Sequence, residues 1–236
     1  MKTGEILKDS ISYPLNNLRS LAIYIVLSIM AAVAFGGTII GMAIGTSSNG
    51  DILTGLLGVL GFIIFLVIGL LIDGYTLDIV KYGIERTYDA PRIEPARQIL
   101  NAIKLLILQI VYYLIPIILG LIIGIFMRAW ITTIILIILV IIFAFAKLMG
   151  QCRLAKTGSL SEGLAILDAI SDIGRVGFTN LCVLIIYIAV CAILIGLIGI
   201  SLGQINTTLG AVVSSILIVY LLFFENRSVG LLYSNI

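Results

Sequence analysis

Histidine is absent from this 236-residue chain, and its absence limits the chemistry that the protein can perform. Metal sites built on imidazole, Ser–His and Cys–His nucleophile pairs, and histidine proton relays all need this side chain. Charged residues are also scarce: they make up 11% of the chain, against about 25% in soluble proteins. A chain with so few charges cannot cover its surface with polar groups. A soluble globular protein, a disordered tail and a nucleic-acid binder are therefore excluded.

Cysteine is rare, and its spacing matches no metal or redox motif. The three cysteines are Cys152, Cys182 and Cys191, and no two of them form a CxxC pair. We interpret Cys182 and Cys191, which lie in an apolar run, as packing residues, and Cys152 as a reduced thiol in a loop. No Walker A or dinucleotide-binding glycine pattern occurs. The sequence therefore predicts no bound metal, no cofactor and no disulfide framework.

Long apolar runs are what the chain has in abundance: apolar residues make up 61% of it. A helix needs about 20 apolar residues to cross the hydrocarbon core of a bilayer. Six charge-free runs are of about this size, namely Leu21–Ile44, Ile52–Ile72, Leu105–Met127, Ala129–Ala146, Val176–Leu202 and Ile205–Phe224. A single helix over Leu105–Ala146 would be about 60 Å long, twice the thickness of that core. The chain must therefore turn near Arg128, with Trp130 at the membrane interface.

The distribution of basic residues predicts the orientation. Of the 14 lysines and arginines, all except Arg128 lie on the same side of the six spans as the chain termini. The positive-inside rule makes that side cytoplasmic. Most acidic residues follow the same side, and the exception is Asp51 in the first outer turn. We expect a multi-pass protein of the cell membrane with both termini in the cytoplasm.

We interpret the chain as three copies of one unit: a short amphipathic cytoplasmic segment, a span, a tight outer turn and a return span. The units cover approximately residues 1–90, 91–158 and 159–236, and their lead segments are Gly4–Leu18, Ile93–Lys104 and Leu160–Gly174. Such helices lie flat on the membrane or pack against neighbouring loops. The sequence thus predicts an all-α integral membrane protein, a single polytopic domain with six transmembrane helices as three repeated hairpins with short amphipathic cytoplasmic helices.

Glycines four residues apart recur in the outer half of each first span. These candidate packing residues are Gly37, Gly41, Gly120, Gly124, Gly199 and Gly203. Small residues at this spacing let two membrane helices approach closely. We expect spans 1, 3 and 5 to use them to approach one another or their return spans.

The segment after the first hairpin has a distinctive order. Gly74-Tyr75-Thr76-Leu77-Asp78 is followed by a charged stretch to Asp89-Ala90-Pro91-Arg92 and then by an amphipathic entry into the next span. This order resembles a family of multi-pass prokaryotic, largely archaeal, membrane proteins catalogued as domain of unknown function 4013. The resemblance covers most of the chain and implies a multi-pass fold. Because that family has no established activity, the resemblance assigns no functional residues.

Polar groups inside the spans are sparse. No span contains Asp, Glu, Lys or Arg away from its ends, which disfavours an ion-coupled pump, a voltage sensor and an intramembrane aspartyl protease. The cytoplasmic carboxylates each lie near a basic residue, so we interpret them as parts of charge-balanced loops and predict no enzyme. Gln109 and Asn180 are expected to form interhelical hydrogen bonds. Pro116 predicts a kink in span 3, but spans 1 and 5 lack a matching proline, which disfavours transport.

The favoured function is therefore association: a scaffold, an accessory subunit or a membrane-organising protein. The alternative is a carrier or pore for a lipid-like or uncharged solute. The expected partners are the bilayer and either anionic lipid headgroups or another membrane protein, and a homo-oligomer is compatible with the sequence. The candidate contacts are Arg92, Arg97, Lys104, Arg153 and Lys156, since basic residues gain energy beside an anionic leaflet. Alternatively, Asp89, Glu94 and Glu162 cancel these charges locally.

Overall fold

The computed structural model of the protein describes residues 2–45 and 52–236, which form helices and no strand. The helices are α1 (Thr3–Asn16), α2 (Leu18–Gly45), α3 (Ile52–Ile84), α4 (Pro95–Phe126), α5 (Ala129–Thr157), α6 (Leu160–Gly163), α7 (Ile166–Val176), α8 (Phe178–Ile205) and α9 (Thr207–Tyr233). Six of them, α2, α3, α4, α5, α8 and α9, are long and apolar enough to cross a membrane. The predicted all-α fold with six transmembrane helices is confirmed.

Two of the predicted outer turns lie within the described residues. Helix α4 ends at Phe126 and α5 begins at Ala129, so the chain turns beside Arg128. Helices α8 and α9 meet at Asn206, whose side chain accepts a hydrogen bond from the Leu209 amide at 3.0 Å and so caps α9. The predicted first outer turn, with Asp51, lies outside the described residues. We call this end of the bundle the turn side, and the end that carries both termini the terminal side.

The return helices α3, α5 and α9 continue past the predicted ends of their spans. They end at Ile84, Thr157 and Tyr233 rather than at Ile72, Ala146 and Phe224. The predicted ends were too early because they were placed where charged residues begin. The helical hydrogen-bond pattern continues through those residues, since neighbouring helices bury much of this stretch.

The lead segments differ from one another. The first forms α1, and the third is divided into α6 and α7, which ends before Gly177 at φ +93°. The second is not a separate helix, contrary to expectation: it forms the first turns of α4, which starts at Pro95 and has no break before the span. The apolar residues Ile93, Leu100 and Ile103 of this segment face outward, with Leu100 61% exposed.

The three hairpins join on the terminal side. Within each hairpin the two helices pack on each other, and α3 also packs on α4 and α9. Helices α3 and α9 come so close that a Cβ on Gly83 would lie 3.0 Å from the Gly230 Cα atom. The turn side is different: Ile125, Phe126 and Ile205 are each more than three-quarters exposed. Exposed apolar side chains at that end suit contact with lipid.

Candidate functional site at the terminal side

Each return helix carries a charged residue that contacts the lead segment of another unit. In α3 this residue is Asp78, whose side chain is 8% exposed. It accepts hydrogen bonds from Arg97 Nη2 at 3.2 Å and from Asn101 Nδ2 at 3.0 Å, both in α4. The two contacts join the first unit to the second at the start of α4.

In α5 the corresponding residue is Arg153, which contacts three carboxylates of the third lead segment. Its guanidinium lies 2.8 Å from Glu162, 3.2 Å from Asp168 and 3.2 Å from Asp172. Asp172 is buried, and it also accepts a hydrogen bond from the hydroxyl of Tyr233 at 2.9 Å. This cluster joins the second unit to the third.

In α9 the corresponding residue is Arg227, whose side chain is fully buried. Its Nε donates to Asp9 of α1 at 2.9 Å, and its Nη1 donates to the carbonyl of Thr87 at 2.6 Å. The guanidinium carbon lies 4.8 Å from the centre of the Tyr13 ring, a cation–π arrangement. Burial raises the pKa of Tyr13 above its ordinary value, so the ring stays neutral. Arg227 thus joins the third unit back to the first.

Together these contacts form a closed cycle, because each return helix pairs with the lead segment of the following unit. At two of the three joints, the return helix also approaches the backbone of the next lead segment closely. A Cβ on Gly74 would overlap the backbone of Gln98 in the second lead segment, and one on Gly150 would lie 2.8 Å from the Gly163 carbonyl oxygen in the third. Glycine is therefore required where the return helix crosses the next lead segment.

The predicted basic contacts are not equivalent in the structure. Arg97 pairs with Asp78 and with Glu94 at 3.2 Å, and Arg153 is 17% exposed among its carboxylates. These two guanidiniums hold the units together. Two of the three acids expected to cancel the basic contacts locally, Glu94 and Glu162, pair with these two arginines.

The other three predicted basic contacts, Lys104, Lys156 and Arg92, have fewer partners. The Lys104 ammonium donates to the Gly158 carbonyl at 2.8 Å, and that of Lys156 lies 5.6 Å from the ring centre of Tyr233. Arg92 is exposed and, within the described part of the chain, forms no ion pair. It lines a cleft of about 680 Å³ together with Arg19.

The candidate packing glycines make their close approaches within hairpins. A Cβ on Gly41 would lie 2.7 Å from the Gly58 Cα of α3, whereas one on Gly37 would meet no atom within 4 Å. Three others face their own return helices: Gly120 faces Leu136, Gly124 faces Thr132 and Gly199 faces Ser214. A Cβ on Gly203 would also meet no atom within 4 Å, although a Cβ on Gly210 would lie 2.6 Å from the Gly203 amide nitrogen. Where these glycines make close contacts, they therefore pack the two helices of one hairpin against each other.

Residues that the sequence did not single out complete the terminal side. Asp9, Arg227 and Tyr233 were not recognised as contact residues, because their partners lie far away in the chain. Asp172 contacts Arg175, the basic residue nearest to it in the sequence, at 3.5 Å, but Arg153 lies nearer, at 3.2 Å. Asn180 accepts a hydrogen bond from the Thr3 hydroxyl at 3.0 Å and so links α8 to α1.

The fold and the charged cycle define a polytopic helical membrane protein whose hairpins are joined through their terminal side. The family model described as "Protein of unknown function (DUF4013)" matches residues 57–204, and the chain belongs to this family. No curated protein and no solved structure matches the chain. The matched residues include the Asp78 and Arg153 contacts but neither Asp9 nor Arg227.

Proposed function

We propose that this protein is a non-enzymatic membrane scaffold or accessory subunit that acts by association with another membrane protein. One observation carries the proposal: helix α8 is 28 residues long and buries only Leu181 and Leu184. Its contacts within the described residues are mainly with α9, α7 and α1. Most of a membrane-spanning helix is therefore free to contact lipid or another helix.

The use of the charged residues supports the same proposal. Asp78, Arg153 and Arg227 each pair with a residue of a neighbouring unit. Groups held in this way stabilise the arrangement of the hairpins. A fixed frame with a membrane helix as little buried as α8 suits a protein that works through its surface.

Site-specific photocrosslinking in native membranes tests this proposal. A photoreactive residue would replace Ile193 of α8, which is 63% exposed, and Ile138 of α5, which is 51% exposed, would serve as the matched control. We expect a protein adduct of one defined mass from position 193 and only lipid adducts from position 138. Equal protein adducts from both positions would indicate random collisions, and lipid adducts alone from position 193 would overturn the proposal.

A carrier or pore for a lipid-like solute is the second candidate, because one groove suits an apolar chain. The groove has a volume of about 290 Å³ and is lined by Ile11, Tyr187, Cys191, Leu194, Tyr220 and Phe224, among others. The Tyr220 hydroxyl donates to the Ile11 carbonyl and so ties α9 to α1 beside it. Native mass spectrometry of the purified protein would distinguish the two candidates. A stoichiometric lipid that is lost in Leu194→Trp would favour the carrier.

A further inference from the structure

A cleft on the terminal side separates the beginnings of α2 and α4. Its walls come from residues 16–20 and Ile23 on one side and from residues 90–94 on the other, and its volume is about 680 Å³. Arg19 and Arg92 both line it, and both are exposed. Neither arginine forms an ion pair with any residue that the structure describes. Two uncompensated guanidiniums therefore face one cavity.

The charge of this cleft is positive. The acidic residue in its wall is Glu94, and the Glu94 carboxylate lies 3.2 Å from the Arg97 guanidinium, which already compensates it. Helix α4 begins here, and its N-terminal end adds partial positive charge, whereas that of α2 is offset by the C-terminal end of α1 at Asn16. An anion is the complementary ligand.

The walls of the cleft are held in place by hydrogen bonds to residues outside it. The Asn17 side-chain amide donates to the carbonyl of Tyr13 at 3.0 Å and to that of Tyr88 at 3.1 Å. The Tyr75 hydroxyl donates to the Pro91 carbonyl at 3.3 Å. These bonds tie the segment before α4 to the junction of α1 and α2. The backbones that carry Arg19 and Arg92 are thus held in place before any ligand arrives.

The cleft also has an apolar part. Leu18 is 62% exposed, and Ile23 and Ile93 are 37% and 38% exposed. Arg19 lies two residues before the charge-free run that begins at Leu21, so the arginines lie where the apolar span ends. Phospholipid headgroups occupy this level of a bilayer. A ligand with an anionic head and an apolar body matches both parts.

We propose that this cleft binds the phosphate of an anionic phospholipid, with Arg19 and Arg92 contacting the phosphate and Leu18, Ile23 and Ile93 contacting the apolar part of the lipid. Guanidinium groups suit this role because their donors match phosphate oxygens in pairs. The site is independent of the proposed scaffold function. Of the five basic residues predicted to contact lipid or a partner, the site uses Arg92, and it adds Arg19, which served only as evidence for orientation in the sequence.

Native mass spectrometry of the full chain in lipid nanodiscs tests the site. The discs would contain phosphatidylcholine with a minor fraction of phosphatidylglycerol, and the measured quantity is the occupancy of bound phosphatidylglycerol. Changing Arg19→Gln and Arg92→Gln together should weaken its binding by roughly fivefold for each arginine. The matched control changes the exposed Lys8→Gln and Lys81→Gln, with the same loss of charge, and should retain the lipid. An equal loss in both variants would overturn the proposal.

Two further measurements separate misfolding and free phosphate from the proposed site. The variant with Arg19→Lys and Arg92→Lys keeps the charge but cannot pair two donors with two phosphate oxygens, so it should bind the lipid more weakly than the wild type and more tightly than the glutamine variant. A folded lysine variant that binds the lipid no better than the glutamine variant would contradict an attraction between positive charge and the phosphate. Inorganic phosphate at millimolar concentration should not displace the lipid. The double variant Ile23→Ser and Ile93→Ser should bind the lipid more weakly. Displacement by phosphate, with no effect of the serines, would overturn the lipid assignment in favour of a soluble phosphate compound.

Discussion

Arg227 in the last membrane helix donates a hydrogen bond from Nε to Asp9 in the first helix of the chain, at 2.9 Å. The arginine side chain is fully buried, and that of Asp9 is 13% exposed. The contact closes the cycle in which each return helix pairs with the next lead segment. A buried ion pair that joins the two ends of the chain makes the three hairpins one structural unit.

Removing this arginine should destabilise the protein strongly. Arg227→Met leaves Asp9 without its partner inside the protein, and breaking a buried pair costs about 3–5 kcal/mol. We expect a clear fall in the melting temperature of the detergent-solubilised protein. Arg128→Met, at an exposed position on the turn side, is the control and should melt like the wild type.

A double variant tests whether the loss comes from the unpaired charge. Adding Asp9→Leu to Arg227→Met replaces both charges by apolar groups, which is often nearly neutral. The double variant should therefore melt at a higher temperature than Arg227→Met alone. A double variant that is no more stable than Arg227→Met would show that the other contacts of the arginine, such as that to Thr87, dominate.

Exchanging the charges of Asp78 and Arg97 should preserve part of the contact between the first and second units. Asp78→Arg places two arginines side by side and should lower the melting temperature, because like charges repel in a partly buried contact. Adding Arg97→Asp restores an opposite pair and should recover part of the stability. The coupling energy of the double-mutant cycle measures the contact directly. A coupling energy near zero would mean that the ion pair contributes little.

The packing glycines should differ in their tolerance of a side chain. Gly41→Leu forces α2 away from Gly58, whose Cα would lie 2.7 Å from the new Cβ, and overpacking costs about 1–3 kcal/mol. Gly37→Leu, one turn away on the same helix, meets open space and should leave the melting temperature unchanged. Equal melting temperatures for the two variants would show that the close approach does not affect stability.

Gly120→Leu should have an intermediate effect. The atom nearest to an added Cβ there is the Cδ1 of Leu136, at 2.6 Å, and a flexible side chain can move where a backbone cannot. We therefore expect a smaller fall in melting temperature than for Gly41→Leu, measured in the same detergent. A larger fall would mean that Leu136 is held rigidly between α4 and α5.

The orientation of the bundle can be measured by cysteine labelling in a background without the three native cysteines. We expect Thr208→Cys on the turn side to react with a membrane-impermeant maleimide from outside the cell. This position leaves the cap formed by Asn206 intact. Thr157→Cys on the terminal side should react only after the membrane is permeabilised. Labelling of position 157 in intact cells would contradict cytoplasmic termini.

The sequence by itself determined the membrane helices and the hairpin turn at Arg128. Both follow from one requirement: a helix that crosses about 30 Å of hydrocarbon must be apolar for about 20 residues. That requirement acts locally, so it can be read from consecutive residues. The resemblance carried by residues 74–92 was also sufficient to indicate the family.

The tertiary structure alone decided how the charged ends of the helices are used. Arg227 and Asp9 are 218 residues apart in the chain, and no local pattern relates them. The same reason explains why Arg97 and Arg153 were expected to contact lipid or a partner although they pair with carboxylates of this chain. It also explains why Arg19 was not expected to share a cleft with Arg92. Charges that end a helix can face water, lipid or another helix, and only the packing of the hairpins selects among the three.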